Sequence, residues 1–127
     1  MENDYEVLVV DDERIVGKQL KSALSKDGYK VEAYEVPAEA IKRLDEKSFD
    51  IVVTDIRMDI VDGIEILEHA MNKSNRTKVI MITGFAMMEL ARHAMDKGAF
   101  DFIAKPFKPD DLRSSVARAV KTIQQAN

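Results

Sequence analysis

Short apolar runs alternate with longer amphipathic stretches along the whole chain. The runs predict five β-strands, near residues 6–10, 29–34, 50–54, 78–82 and 100–104. The first, third and fourth runs are almost continuously apolar, which is typical of central strands that helices cover on both faces. The second run, Tyr29-Lys30-Val31-Glu32-Ala33-Tyr34, alternates instead and is predicted to be a peripheral strand.

The segments between the strands carry helical spacing, so strand and helix alternate throughout. This alternation predicts an α/β fold with a parallel sheet. Because crossovers between parallel strands are right-handed, few topologies remain, and we expect a doubly wound (βα)5 domain with strand order 2-1-3-4-5. In that order the first and third strands are neighbours at the switch point, and ligands bind beyond the carboxyl ends of the strands.

Glycine and proline mark the helix boundaries. Gly28 and Gly98 are predicted to end the first and fourth helices as left-handed C-caps. Pro37 and Pro109 suit first-turn positions, where a missing amide proton costs nothing.

Two helical segments have contrasting apolar stripes. The last segment has a single stripe that can cover a sheet, formed by Leu112, Val116, Ala119, Val120 and Ile123. In the fourth segment, the predicted sheet-facing residues are Met87, Ala91, Ala94 and Met95. Met88 and Leu90 are offset from this stripe, and an exposed remainder would form a partner surface.

The length of 127 residues fits one domain, 1–127, with no room for a second. A hydrophobic content of 46% and a charged content of 33% are those of an ordinary globular protein. No apolar run approaches the length of a transmembrane helix, the first residues are acidic rather than signal-like, and cysteine is absent. We therefore expect a cytoplasmic location and no membrane partner.

The charge balance limits the partners. The formal charge is −4, whereas non-specific nucleic-acid binding depends on an excess of lysine and arginine. We expect no direct nucleic-acid binding by this segment.

Polar residues close the predicted strands. Asp11 and Asp12 follow the first, Asp55 the third, Thr83 the fourth and Lys105 the fifth. Taken singly, each has an ordinary interpretation as a helix cap, a turn residue or a solvated lysine. Together at one sheet edge, three crowded carboxylates favour a divalent cation, and a hydroxyl and an ammonium suit a metal-bound phosphoryl group.

At these residues the chain resembles the receiver domain of two-component response regulators over nearly all its length. Three motifs carry the resemblance, in the family's order and spacing: Val9-Val10-Asp11-Asp12-Glu13, Asp55-Ile56-Arg57-Met58 with Asp62-Gly63, and Gly98-Ala99-Phe100-Asp101-Phe102-Ile103-Ala104-Lys105-Pro106-Phe107. Any one alone would be weak. Each stands at a predicted strand end, which makes the combination specific.

The resemblance implies that Asp55 accepts a phosphoryl group from a histidine kinase or phosphotransfer protein. A carboxylate can attack phosphorus, and positioning and charge neutralisation lower the barrier. By resemblance, Asp12 and Asp55 bind the metal directly, Asp11 through water, and Arg57 through its main-chain carbonyl. The open oxygen-rich site suits Mg²⁺, with Mn²⁺ as a substitute, whereas zinc would want Cys or clustered His.

The resemblance also implies a switch. Thr83 would bond a phosphoryl oxygen, Lys105 would bring positive charge, and Phe102 would rotate inward. This population shift would change the surface of the fourth helix, fifth strand and fifth helix. The Lys105-Pro106 peptide is cis in the family.

Two residues depart from common family patterns, and two others lie close to the predicted site in sequence. Phe102 stands where many relatives carry Tyr, and Asp59 where a Pro is common. Arg57 and Phe85 lie two residues after Asp55 and Thr83 and could shield or orient the attacking water. The sequence therefore does not predict the lifetime of the phosphoryl group.

We expect the domain to control an attached output domain or a separate protein. By analogy with related regulators, this output would be control of transcription. A phosphorylation-dependent homodimer is expected by the same kind of analogy. We expect no enzyme activity beyond self-phosphorylation from a donor and autodephosphorylation. A magnesium-dependent phosphatase would place a second Asp where Arg57 stands, and no nucleotide-binding glycine motif occurs. A receiver-like docking module that signals without phosphorylation remains the alternative.

Overall fold

The computed structural model of the protein describes residues 4–58, 62–84 and 87–126. The strands are β1 (Glu6–Val10), β2 (Lys30–Tyr34), β3 (Ile51–Asp55), β4 (Lys78–Thr83) and β5 (Asp101–Ala104). The helices are α1 (Arg14–Lys26), α2 (Pro37–Glu46), α3 (Gly63–Lys73), α4 (Met88–Asp96) and α5 (Pro109–Gln125). Each predicted strand is present, and its bounds differ from the prediction by no more than one residue at either end.

The five strands form one parallel sheet in the order β2-β1-β3-β4-β5. This confirms the predicted doubly wound topology and the peripheral place of β2. Val10 lies beside Thr54 in the register of β1 and β3, and Thr83 lies beside Ala104 in that of β4 and β5. The carboxyl ends of the strands therefore meet along one edge.

The sheet has an apolar core on each face. Successive residues of β1 point to opposite faces, so Val7 and Val9 pack with α1 and α5, whereas Leu8 and Val10 pack with α2, α3 and α4. All four of these side chains are fully buried. Burial of central strands on both faces explains their unbroken apolar runs.

The predicted helix boundaries agree with the backbone. Gly28 and Gly98 have φ angles of 93° and 109°, in the left-handed region that glycine adopts without a steric penalty. Pro37 and Pro109 occupy the first turns of α2 and α5.

The fourth helix corrects the predicted stripe, whereas α5 buries all five of its predicted stripe residues. Ala91 and Ala94 are buried, and the partly buried Met87 and Leu90 pack beside them, while Met95 is exposed. The prediction for Met95 and for Leu90 was wrong, because the sheet-facing stripe runs along the other side of the two alanines. Ala91 and Ala94 are fully buried, so the helix packs on the sheet along these two residues, with Met87 and Leu90 on the same side.

Candidate functional site at the carboxyl edge of the sheet

Neighbouring strands bring three carboxylates together. Asp55 is the last residue of β3, and Asp11 and Asp12 follow β1 directly. One carboxylate oxygen of each residue lies within 4.8 Å of those of the other two. Asp11 and Asp55 are buried, whereas Asp12 is exposed. The predicted acidic cluster therefore forms, with an open side.

Asp11 is held in an unfavourable environment. Its Oδ1 accepts a hydrogen bond from the main-chain N–H of Glu13 at 2.8 Å, while its buried Oδ2 has no hydrogen-bond partner among the described residues. Burial raises the pKa of Asp11 to about 6, with a smaller contribution from the charge of Asp55 and partial relief from the Glu13 N–H and Lys105. A carboxylate with an unsatisfied buried oxygen is poised to accept a cation.

Lys105 reaches into the acidic cluster. Its Nζ lies 3.0 Å from Asp55 Oδ2 and 3.9 Å from Asp11 Oδ2. Burial alone would lower the pKa of this lysine, but its hydrogen bond to Asp55 and the attraction of the nearby acids outweigh burial and raise it. Lys105 is therefore a positive charge in direct contact with the Asp55 carboxylate.

The main chain fixes the loops that carry Lys105 and Thr83. The Lys105 N–H donates to the carbonyl oxygen of Thr83 at 2.7 Å, and the following peptide bond to Pro106 is cis. Thr83 is fully buried, and its hydroxyl donates to the carbonyl oxygen of Gly84 at 3.0 Å. A hydroxyl engaged there would have to rotate to meet a group bound at Asp55.

Gly63 permits a close approach between α3 and the end of β3. Its N–H donates to the carbonyl oxygen of Ile56 at 2.8 Å. A Cβ at Gly63 would lie 2.6 Å from the Asp55 carbonyl oxygen and 2.7 Å from Ile56 Cα, which are prohibitive distances. Gly63 was recognised in the sequence only as part of a motif; the reason that a side chain cannot fit there comes from the structure.

The remaining predicted residues lie at the rim or outside the described ranges. Phe102 is partly buried and packs against the core formed with α2, α3 and α4. Arg57 is exposed, and its main-chain N–H donates to Asp55 Oδ1 at 3.2 Å. Asp59 and Phe85 lie outside the described residues.

Glu13 contacts the site although sequence reasoning gave it no role. Its Oε1 lies 3.3 Å from Lys105 Nζ, across a sequence separation of 92 residues. The only sequence signal was its place in the acidic run after β1, which cannot reveal a partner that follows β5.

The donor set fits a hard divalent cation. Three carboxylates converge, one of them carries a buried oxygen that is unpaired within the described part of the chain, and Asp12 leaves one side accessible. Oxygen ligands of this kind suit Mg²⁺ or a similar ion, which retains several waters. The described residues therefore include an acidic cluster that could hold a metal ion.

Taken together, a doubly wound parallel sheet with an acidic cluster and a lysine at its carboxyl edge defines a class of α/β domain built around an aspartate site. Comparison with known proteins narrows the class. The family model for the response regulator receiver domain matches residues 7–117, and the chain belongs to this family, the receiver domain of two-component response regulators.

Curated relatives include both short and long proteins. The chain is 36% identical over 115 residues to the regulatory protein AtoC of Escherichia coli, covering 91% of this chain and 25% of AtoC. It is also 36% identical over 116 residues to the chemotaxis protein CheY of Listeria monocytogenes, covering 91% of this chain and 98% of CheY. The chain thus spans a quarter of one relative and nearly all of the other.

Solved structures agree with the family assignment. A response regulator receiver domain protein from Clostridium thermocellum superposes with a TM-score of 0.90 at 29% identity, covering 97% of this chain and 99% of that one.

Within the described part of the chain, no helix is long and apolar enough to cross a membrane.

Proposed function

We propose that Asp55 is the phosphoryl acceptor of a two-component signalling switch. The observation that carries the proposal is the buried Asp55 carboxylate, with Lys105 Nζ at 3.0 Å and with Asp11 and Asp12 beside it. In the proposed step, an Asp55 oxygen attacks the phosphorus of the donor, the bond from phosphorus to the donor breaks, and the donor group leaves with the electron pair. With acetyl phosphate the products are an aspartyl phosphate and acetate.

The proposed metal is Mg²⁺, with Mn²⁺ as a substitute. Asp12 and Asp55 would bind it directly, Asp11 through water, and Arg57 through its main-chain carbonyl. A bound divalent ion supplies neutralisation of the charge on the transferred group. Lys105 contributes a further positive charge, and together these groups offset the repulsion that an incoming phosphate meets among three acids.

The proposed switch links the site to a distant surface. Thr83 exchanges its bond to the Gly84 carbonyl for one to the phosphoryl group, and Phe102 follows by packing further inward. The affected surface comprises α4, β5 and α5. Phosphorylation need only favour one of two existing arrangements. Because residue 102 is Phe, its switch acts through packing, without a hydroxyl contact.

The proposed partners follow from the family. Receiver domains act with histidine kinases and with output domains; for this chain we propose a histidine kinase or phosphotransfer protein as donor, and an output domain or separate protein as target. We further propose that residues 1–127 form one receiver domain in the cytoplasm, and that phosphorylation promotes a homodimer. Receiver domains are not enzymes in the usual sense, and the proposed chemistry is confined to gain and loss of one phosphoryl group.

The test is intact-mass spectrometry after incubation with acetyl phosphate, with and without Mg²⁺, on the wild type and on Asp55→Asn. We expect the mass of one phosphoryl group to be gained only by the wild type and only with the metal. Phosphorylation of Asp55→Asn would assign the acceptor elsewhere. No gain by the wild type, under conditions that modify a known receiver, would favour the docking module that signals without phosphorylation.

A further inference from the structure

Glu13 occupies a helix cap position without acting as a cap. It is the N-cap residue of α1, yet its side chain makes no capping hydrogen bond to any residue that the structure describes. Asn, Asp, Ser and Thr are the residues that normally stabilise this position, and glutamate is too long to bond the first-turn amides well. Helix capping therefore does not account for this side chain.

The Glu13 side chain instead extends to the lysine of the site. Its Oε1 lies 3.3 Å from Lys105 Nζ, and the same ammonium lies 3.0 Å from Asp55 Oδ2. An ammonium has three protons to donate, and two of its partners are thus the proposed acceptor and Glu13. The glutamate side chain is 65% exposed, so it can move away from the lysine without leaving an unsatisfied buried charge.

We infer that Glu13 is a positioning residue that competes with the incoming phosphoryl group for Lys105. This inference rests on the proposed function. When a phosphoryl group is attached to Asp55, its negatively charged oxygens become the strongest partners for the ammonium. Lys105 must then turn from Glu13 to those oxygens, so the resting ion pair subtracts from the affinity of the site for the group. Glu13 thereby favours the unphosphorylated arrangement.

The test measures the affinity for beryllofluoride, whose tetrahedral adduct with a carboxylate mimics an aspartyl phosphate. Binding is followed by ¹⁹F NMR at saturating Mg²⁺, with saturation checked for each protein. Three variants are compared with the wild type: Glu13→Gln, Glu13→Asp and Glu35→Gln. Glu35 is an exposed glutamate after β2 that contacts Arg14 at 4.0 Å, so its replacement removes one charge without touching Lys105.

The Glu13→Asp variant distinguishes the effect of the contact with Lys105 from the effect of the negative charge at residue 13. It keeps the carboxylate but shortens the side chain by one methylene, which withdraws it from the lysine. We expect Glu13→Gln and Glu13→Asp both to bind beryllofluoride about threefold more tightly, the size expected from losing a partly exposed ion pair. Glu35→Gln should match the wild type.

Other outcomes overturn the inference. Tighter binding by Glu13→Gln with wild-type binding by Glu13→Asp would show long-range repulsion rather than competition for Lys105. Unchanged or weaker binding by both would show that Glu13 does not oppose the group. Failure of the proposed function looks different, because the wild type would then bind no beryllofluoride, or Asp55→Asn would bind it equally well.

Discussion

Two clusters in this molecule each combine carboxylates with one cationic side chain, with opposite results for the pKa of the acid. In the first, which we call the β2–α2 cluster, Arg43 binds both oxygens of Glu32 through Nε and Nη2 at 2.9 Å each, and the Tyr34 hydroxyl adds a hydrogen bond at 2.9 Å. In the second, the carboxyl-edge site, three aspartates face one lysine, and Asp11 Oδ2 has no hydrogen-bond partner among the described residues.

The pKa values reflect this difference. Hydrogen bonds from Arg43 lower the pKa of Glu32, whereas burial raises the pKa of Asp11 to about 6. The β2–α2 cluster thus stabilises the charged form of its acid, and the carboxyl-edge site disfavours it. A cluster with matched charges serves the fold, while a cluster with surplus acid has free energy to gain from a cation. The contrast separates a structural ion pair from a binding site more clearly than residue type does.

The largest expected effect on the free energy of unfolding comes from replacing the buried Asp11 carboxylate. Asp11→Asn should raise the free energy of unfolding of the metal-free protein at pH 7.5, because the buried charge is removed and the side chain keeps its shape. A pKa raised from 3.8 to about 6 corresponds to about 3 kcal/mol. Chemical denaturation of both proteins measures the difference.

The sign of the pH dependence sharpens this prediction. Since the folded state binds the Asp11 proton more tightly than the unfolded state does, the penalty is absent below about pH 4, grows as the pH rises to about 6, and is then constant. The advantage of Asp11→Asn should follow this curve. An advantage independent of pH, or a less stable variant at pH 7.5, would contradict the assignment.

Bound Mg²⁺ should stabilise the charged acids of the carboxyl-edge site, as Arg43 stabilises the charged Glu32 in the β2–α2 cluster. At a hundred times its dissociation constant, the ion should stabilise the wild type by about 2.7 kcal/mol. The gain should be smaller at pH 5, because Asp11 must lose its proton before it can assist binding. Thermal unfolding with and without MgCl₂ measures it. Asp11→Asn should lose most of the stabilisation by Mg²⁺, and Glu32→Gln should keep it. Equal stabilisation of both variants would show that the ion binds elsewhere.

Substitution of Gly63 should displace the end of β3, which carries Asp55, without altering any charge. Gly63→Ala would force a methyl group against the Asp55 carbonyl and Ile56, at a cost of about 2 kcal/mol. It should also slow modification of Asp55 by acetyl phosphate. The matched control is Gly17→Ala in α1, where a Cβ meets no atom of the described residues within 4 Å and better helix propensity should add about 0.5–1 kcal/mol. Similar stabilities for the two variants would be evidence against the close approach.

The smallest effect should come from the matched cluster. Glu32→Gln should lower the free energy of unfolding by about 0.5 kcal/mol at pH 7.5, because the pair with Arg43 is partly exposed. The loss should disappear as the pH falls below the ordinary range of a glutamate, since a lowered pKa stabilises the fold only while the acid is ionised. This is the opposite pH direction to Asp11. Urea denaturation at pH 7.5 and pH 3.5 measures the free energy of unfolding for this comparison. If the effects of Glu32→Gln and Asp11→Asn changed in the same direction with pH, the proposed contrast between the two clusters would be wrong.

Much of the fold followed from local pattern. Central strands buried on both faces must be apolar throughout, and glycine suits the left-handed cap positions, so β1, β3, β4, Gly28 and Gly98 could be predicted from sequence. The stripe of α4 could not. Residues on either side of Ala91 and Ala94 are equally apolar in sequence, and the packing of the helix on the sheet determined that Leu90 is partly buried and Met95 exposed.

By itself, the sequence determined that three acids and a lysine would meet at one sheet edge, because parallel strands end together and the strand order has few alternatives. Only the tertiary structure decided which oxygen of Asp11 lacks a hydrogen-bond partner among residues 4–58, 62–84 and 87–126, that Gly63 has no room for a side chain, and that Glu13 contacts Lys105. These properties depend on distances of a few ångströms between residues that are far apart in the chain. Periodicity specifies which face a side chain occupies, but packing of all the elements together sets such distances.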